Sequence, residues 1–236
     1  MTREGSVMDI YAQTGGSLPQ KLVLLTIELA ILAASGWILF GAGRAVVAGL
    51  TGWTIPSAIP ARAILIFAFS VTTMVRMSLT LFYLMRRRMG WAEVFTIPIA
   101  FLLYYVGFAV LVLPEGAPLG VWDAVAVGLF LLGAFLNTGS ELARDQFKKD
   151  PHNKGRLYTQ GLFALSRHIN FFGDILWVAA YAIVAHTLWA TLIPLYTLCF
   201  FAFFNAPALD RHLASRYGAQ YAAYAERSKM LIPFVL

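Results

Sequence analysis

The sequence predicts an all-α fold: a polytopic integral membrane helical bundle of about six transmembrane helices with a C-terminal amphipathic helix. Three observations carry that expectation. Of 236 residues, 59% are hydrophobic and 13% charged, with a mean hydropathy of +0.70, and soluble domains carry roughly twice that charged fraction. Apolar runs near span length recur along the chain, and Pro- or Gly-bearing breakers separate them. The Lys and Arg residues gather in short loops between those runs, as the positive-inside rule requires. The net charge of +6 is therefore a topology signal, and no nucleic-acid partner is expected. The single cysteine, Cys199, lies in an apolar run and cannot form an intrachain disulfide.

Taken in order, Met1 to Gln20 is polar, with Gly15-Gly16 and Pro19, and the apolar run that follows is too long for a signal-peptide core. Segments of roughly the 20 residues a span requires then fall at about 22–43, 62–85, 92–113, 120–142, 170–186 and 188–207. Pro56 and Pro60, Pro114 to Pro118, and Pro151 with Gly155 mark turns between them. Placing Arg86-Arg87-Arg88 in the cytoplasm puts the basic loop after the fourth span and both termini there as well. Of the 18 Lys and Arg residues, Arg44 and Arg62 then lie opposite and Arg76 lies inside the membrane. No repeat divides the chain, so residues 1–236 read as one domain.

Two charges fall within spans. Glu28 sits about two turns from the cytoplasmic end of the first, and Arg76 about 14 Å from the cytoplasmic end of the second. A lone ionised residue at such depth costs several kcal/mol. Either the two pair as an internal brace, or Glu28 lines a substrate cavity.

The fourth span turns polar as it ends, in a stripe of Asn137, Glu141, Arg144 and Lys148 at helical spacing. A basic, turn-rich loop follows, with Lys149, Lys154 and Arg156, and then Arg167-His168-Ile169-Asn170-Phe171-Phe172-Gly173-Asp174 opens the fifth span. If the stretch is helical, Arg167, Asn170 and Asp174 at i, i+3 and i+7 share one face. Lys148, Lys149, Lys154, Arg156 and Arg167 suit phosphate oxygens. Attraction to anionic lipid headgroups would explain the cations alone, but not the interleaved amides and carboxylates. His168 is either an acid–base group or a hydrogen-bonded boundary residue. No histidine spacing indicates a metal site, and no Walker loop or Rossmann glycine fingerprint is present. In the tail, Tyr217, Tyr221 and Tyr224 make one aromatic face, either of a helix lying on the membrane or of a lid over the same crescent.

From Asn137 to its end the chain resembles the C-terminal half of the steroid 5-alpha-reductase family, and more closely its bacterial uncharacterised branch of DUF1295 type. The resemblance rests on Asn137-x3-Glu141, the Lys148/Arg156 loop, Gly161-Leu162-Phe163, Asn170-Phe171-x-Gly173-Asp174 and Leu231-Ile232-Pro233-Phe234. It implies an integral protein, expected in a bacterial inner membrane, that binds NADPH and reduces a conjugated C=C bond of a hydrophobic small molecule, a lipid or steroid-like enone. Residues 137–236 would then be the cofactor-binding half and 1–136 the substrate-cavity half. The cofactor-binding set implied is Asn137, Glu141, Lys148, Arg156, Arg167, His168, Asn170, Asp174, Arg211 and Tyr224, with Glu28 catalytic beside the substrate carbonyl and no metal. The steroid enzymes carry a tyrosine three residues before the arginine matched by Arg76, where this chain has Thr73; Tyr83, Tyr104 and Tyr105 are the alternatives. They usually have one span more.

A rival resemblance is to the isoprenylcysteine carboxyl methyltransferases, which use S-adenosylmethionine. Arg167-His168 matches their Arg-His-Pro motif, but Ile169 replaces the proline, and Leu209-Asp210-Arg211 stands where they carry paired glutamates. A non-enzymatic membrane protein braced by Glu28 and Arg76 is the third reading.

Overall fold

Helix α1, Leu18–Phe40, is 23 residues long with Pro19 in its first turn, where a missing N–H costs nothing. The computed structural model describes residues 16–85 and 87–236; most of the polar start, and Arg86 of the arginine run used for orientation, lie outside the described residues. A short helix α2, Gly43–Thr51, follows and ends at Gly52 with φ 71°, a left-handed cap that glycine takes without strain. Helix α3, Ala61–Leu79, continues through a π-helical turn, Thr80–Leu84. The third span is assembled from α4, Trp91–Phe101, a π-helical turn Leu102–Gly107 and α5, Phe108–Val112, with Pro98 inside it. Proline removes one helix donor and crowds the preceding turn, and the ladder widens just beyond it.

Helix α6, Val121–Lys149, has 29 residues, about 43 Å at 1.5 Å each. That exceeds a hydrocarbon core of about 30 Å, so its polar last turns project from the bilayer. The shorter apolar helix α7, Ile169–Ala185, ends at His186 with φ 55°. The last span runs through α8, Leu192–Phe200, a π-helical turn Phe201–Asn205 and α9, Ala206–Tyr217. Gly218, with φ 49°, turns the chain into α10, Ala219–Arg227. Among the described residues, five helical segments are long and apolar enough to cross a membrane, and Ile169–Ala185 is a shorter apolar helix. The chain is thus an all-helical integral membrane bundle, as the sequence predicts.

Two boundaries differ from the expected ones. The fourth helix runs on to Lys149 and the last to Tyr217, because a helix that leaves the bilayer keeps its hydrogen bonds while its side chains turn polar. The expected amphipathic tail helix is therefore two pieces: α9 prolongs the last span, and only α10 is separate. Tyr224 of α10 is buried and donates to the Phe163 carbonyl at 2.6 Å, so this helix packs on the protein through that face.

An aromatic core joins the spans. Phe69 stacks on Phe130 at 4.0 Å, and Tyr181 packs against Phe69, Phe108 and Trp177. Large apolar side chains such as Ile99, Leu131, Phe135 and Phe203 point outward, as a bilayer solvent demands. At the end away from the basic loops, buried Arg62 binds Asp123 through two bonds of 2.8–2.9 Å and reaches Glu115 at 3.2 Å. This pairing fastens α3 to α6 where neither charge is left alone.

Candidate functional site: two adjoining cavities

The site begins with two glycines. A Cβ on Gly133 would stand 2.6 Å from the Gly173 carbonyl, and one on Gly173 would stand 2.6 Å from the Asn137 nitrogen. Their bare backbones let α6 and α7 approach closely, which sets Asn137 and Glu141 against the start of α7. Asn137 donates to the Asn170 carbonyl at 3.3 Å, and Asn170 donates to Glu141 Oε1 at 3.0 Å. From α3, Arg76 donates to Asn137 Oδ1 at 2.7 Å and to Thr138 Oγ1 at 2.9 Å, with its guanidinium 5.9 Å from the Trp177 ring centre. Trp177 in turn donates to Asp174 Oδ1 at 2.7 Å. Asn137, Glu141, Asn170 and Asp174 therefore gather around one contact, whereas Arg167, expected on the same helical face as Asn170 and Asp174, precedes α7 and turns to Asp210 instead.

A second network closes the crescent from the C-terminal side, with Asp210 as its hub. His168 Nε2 meets Asp210 Oδ1 at 2.8 Å, and Arg167 Nη2 meets Oδ2 at 3.2 Å. Arg167 also donates to the carbonyls of Ala225 and Ser228. The tail is pinned by Arg167 N–H to Lys229, His168 N–H to Met230, and Ser166 Oγ to Leu231, all to carbonyl oxygens. Burial first, and the Asp210 carboxylate second, hold the Tyr221 phenol above its ordinary range. Burial does the same to Tyr224. Both phenols remain neutral donors.

Two cavities flank the Asn137–Asp174 network. The polar one, about 580 Å³, opens among the basic loops and is lined by Arg87, Arg144, Lys148 and Arg216 as well as Glu141 and Asn170. The apolar one, about 530 Å³, lies between spans and is lined by Tyr104, Trp177, Phe200 and Phe201 among others. Thr80, Asn137 and Asp174 line both. Each volume falls in the range of about 300–1,000 Å³ usual for small-molecule sites.

Of the implied cofactor set, Asn137, Glu141, Lys148, Arg167, His168, Asn170, Asp174 and Tyr224 line the polar cavity. Arg156 and Arg211 are exposed and lie outside its lining; Arg156 contributes a carbonyl that accepts from Lys148 Nζ at 2.5 Å. His168, buried and paired with Asp210, fits the boundary reading better than the acid–base one. Asp210, Arg87 and Arg216 were not singled out from the sequence. Asp210 and Arg216 sit on the unexpected prolongation of the last span, and the Leu209-Asp210-Arg211 stretch signals only a departure from the methyltransferases' paired glutamates.

The brace between Glu28 and Arg76 is not formed. Arg76 turns toward Asn137 and Thr138, and both Glu28 oxygens are buried without a hydrogen-bond partner. Glu28 lines neither cavity. Arg76 Nη1 and the Tyr105 hydroxyl are likewise buried without partners, and Tyr105 lies within electrostatic reach of both Glu28 and Arg76. Of the other tyrosines considered, Tyr104 lines the apolar cavity, and Tyr83 accepts from Lys149 at 2.7 Å on an exposed edge. Among the described residues no group of His, Cys, Asp and Glu is arranged to hold a metal.

The donor set of the polar cavity suits a phosphorylated cofactor. Lys148 keeps donor capacity beyond its bonds to Arg156 and Tyr217, and Arg216 stacks over the Tyr217 ring at 5.6 Å. Several cations around one concave wall are what phosphate groups require. S-adenosylmethionine carries none.

A sequence model described as "Protein of unknown function (DUF1295)" matches residues 82–228, more than half of the chain. The human 3-oxo-5-alpha-steroid 4-dehydrogenase 2 is 29% identical over 122 residues, covering 52% of this chain and 46% of that protein. A probable O-methyltransferase, ustE of Ustilaginoidea virens, is 33% identical over 89 residues, covering 37% of this chain and 31% of that protein. The chain thus spans less than half the length of either curated relative.

Proposed function

We propose, from the premise that this chain belongs to the DUF1295 family, which is steroid 5-alpha-reductase-like, that it is a membrane-embedded NADPH-dependent reductase of a conjugated C=C bond in a lipid or steroid-like enone. The observation that carries this reading is the meeting of a cation-lined cavity with an apolar one at Thr80, Asn137 and Asp174. A water-soluble cofactor and a bilayer-soluble substrate can each approach that junction from its own medium. In this reading the basic end and both termini face the cytoplasm of a bacterial inner membrane.

Lys148, Arg144, Arg87 and Arg216 would take the phosphates, while Glu141 with Asn170, Asn137 and Asp174 would receive the polar parts beyond them. When bound there, NADPH supplies the hydride. The chain must then stabilise negative charge that grows on the enone carbonyl oxygen. Arg76 is placed for that work: it lines the apolar cavity and keeps Nη1 without a partner. The Tyr104 hydroxyl, 3.2 Å from Thr197 Oγ1, is a second donor on the same wall. Glu28, expected to be catalytic, would act only indirectly, through Tyr105, which lies within electrostatic reach of both Glu28 and Arg76. The C-terminal clamp supplies part of the polar cavity's wall through Arg167, His168 and Tyr224.

The match to a probable O-methyltransferase keeps methyl transfer as the second reading. Thermal unfolding in detergent separates the two. NADPH at about 100 times its Kd should add about 2.7 kcal/mol to stability, with the effect lost in Asn170→Ala and Glu141→Ala. Stabilisation by S-adenosylmethionine in place of NADPH would replace the reductase reading with the methyltransferase one.

A further inference from the structure

The apolar cavity is not closed by protein on its outer side. Its inner wall comes from the second span, α6 and α7, through Arg76, Asn137 and Asp174, and its outer edges come from the third span along Thr96 to Leu103 and the last along Tyr196 to Phe201. The third and last spans touch farther along, where Tyr104 meets Thr197 at 3.2 Å and a Cβ on Gly107 would sit 3.4 Å from Ile193. Toward the basic end they part, and the gap is edged by side chains that reach the outer surface. Ile99 is 61% exposed, Tyr196 56%, Phe200 43% and Leu103 37%. In a soluble protein such a rim would be a defect; here it belongs to bilayer-crossing helices, so its surroundings are acyl chains. Thr96 to Leu103 lie about 8–18 Å into the third span from Trp91, well inside the hydrocarbon layer and away from the headgroups.

The backbone on both edges is unusual in the same way. The π-helical turns Leu102–Gly107 and Phe201–Asn205 begin where the cavity lining is, one on each side of the gap. Such turns recur at functional sites in helices. The lining is also graded. Ile99, Leu103 and Phe200 stand at the mouth, whereas Arg76, Asn137 and Asp174 stand at the inner end.

We propose that this gap is a lateral portal through which a substrate dissolved in the bilayer enters, an elongated apolar molecule with a single polar group that goes in first. This rests on the reductase reading for the role of the inner end, but not for the portal itself. A diacyl phospholipid does not fit the gradient, since its charged headgroup would need cations at the mouth and none lines it. The polar cavity, with five Lys and Arg residues in its lining, is the wrong route for such a molecule.

The test uses a long straight-chain alkenone, with the enone at one end and a diazirine at the other, in phosphatidylcholine nanodiscs holding the full chain. Photolysis and peptide mapping should place tail adducts on residues 96–103 and 196–201. Ile99→Trp and Phe200→Trp, both at exposed positions that tolerate bulk, should each cut labelling about ten-fold by filling the mouth. Leu131→Trp, exposed on α6 away from the gap, should leave it unchanged, and equal melting temperatures show that all three fold. Unchanged labelling in both mouth variants, or adducts on Leu213 and Tyr217 of the polar cavity, would overturn the portal. Mouth labelling without any stabilisation by NADPH would leave the portal standing and remove the reductase reading.

Discussion

Arg76 holds two jobs that separate by mutation. Its Nε and Nη2 fix Thr138 and Asn137, and its Nη1 has no protein partner. Arg76→Lys keeps a cation but loses the planar fork; turnover should fall by about 10² to 10³, the usual cost of one lost donor to a developing oxyanion, while NADPH still stabilises the protein. Glu28→Gln should likewise remove turnover and leave cofactor stabilisation in place, because Glu28 lines neither cavity. Equal activity in Glu28→Gln and wild type would dismiss this residue from the chemistry. Asp210→Ala leaves Arg167 and His168 without their shared carboxylate, and losing a partly buried hydrogen bond to a charged group costs about 1.5–3 kcal/mol; chemical denaturation measures it. At the opposite end, the Ala117 N–H holds the Glu115 carboxyl below its ordinary 4.5, with burial opposing and His186 and Arg62 assisting. Its lowered folded value means the stabilisation is present above pH 4.5 and is lost as pH falls through that folded value. Glu115→Gln should therefore melt below wild type at neutral pH and converge with it on acidification.

At the scale of elements, the contact between α6 and α7 decides whether a site exists. Gly173→Ala would drive a methyl into the Asn137 backbone, and overpacking of that kind costs about 1–3 kcal/mol. Both stability and NADPH binding should drop together, since Asn137, Asn170 and Glu141 are registered by that contact. The six apolar helices were legible because hydropathy and breaker residues report directly on what bilayer crossing demands. The network of Asn137, Glu141, Asn170 and Asp174 was legible because each member sits at helical spacing next to a span end. The partnerships of Arg76 were not. Depth within the membrane allowed Glu28 as its partner, but which side chain it meets depends on helix rotation, and periodicity alone does not set that. Asp210 was missed for a related reason: the expected last span ends at about 207, yet the helix continues through a π-helical turn to Tyr217.

For the whole molecule, the two ends serve different purposes. The end holding Arg62, Asp123 and Glu115 is a brace, compact and internally paired. The basic end is open, and there a cation-lined cavity meets an apolar one that reaches the bilayer. Charge distribution along the chain foretold this asymmetry, as did the resemblance covering its C-terminal half; the adjacency of two cavities needed three dimensions. We propose that hydride passes at their junction from a nucleotide to a membrane lipid. The most direct measurement incubates the protein with a lipid extract and NADPH deuterated at nicotinamide C4, using each of the two C4 epimers in turn, and follows the lipids by mass spectrometry. One epimer should deliver a single deuterium, with one further proton, to a lipid that loses a double bond, and Arg76→Lys should suppress the transfer. No deuterated lipid from either epimer, together with a deuterated methyl group appearing from labelled S-adenosylmethionine, would contradict it.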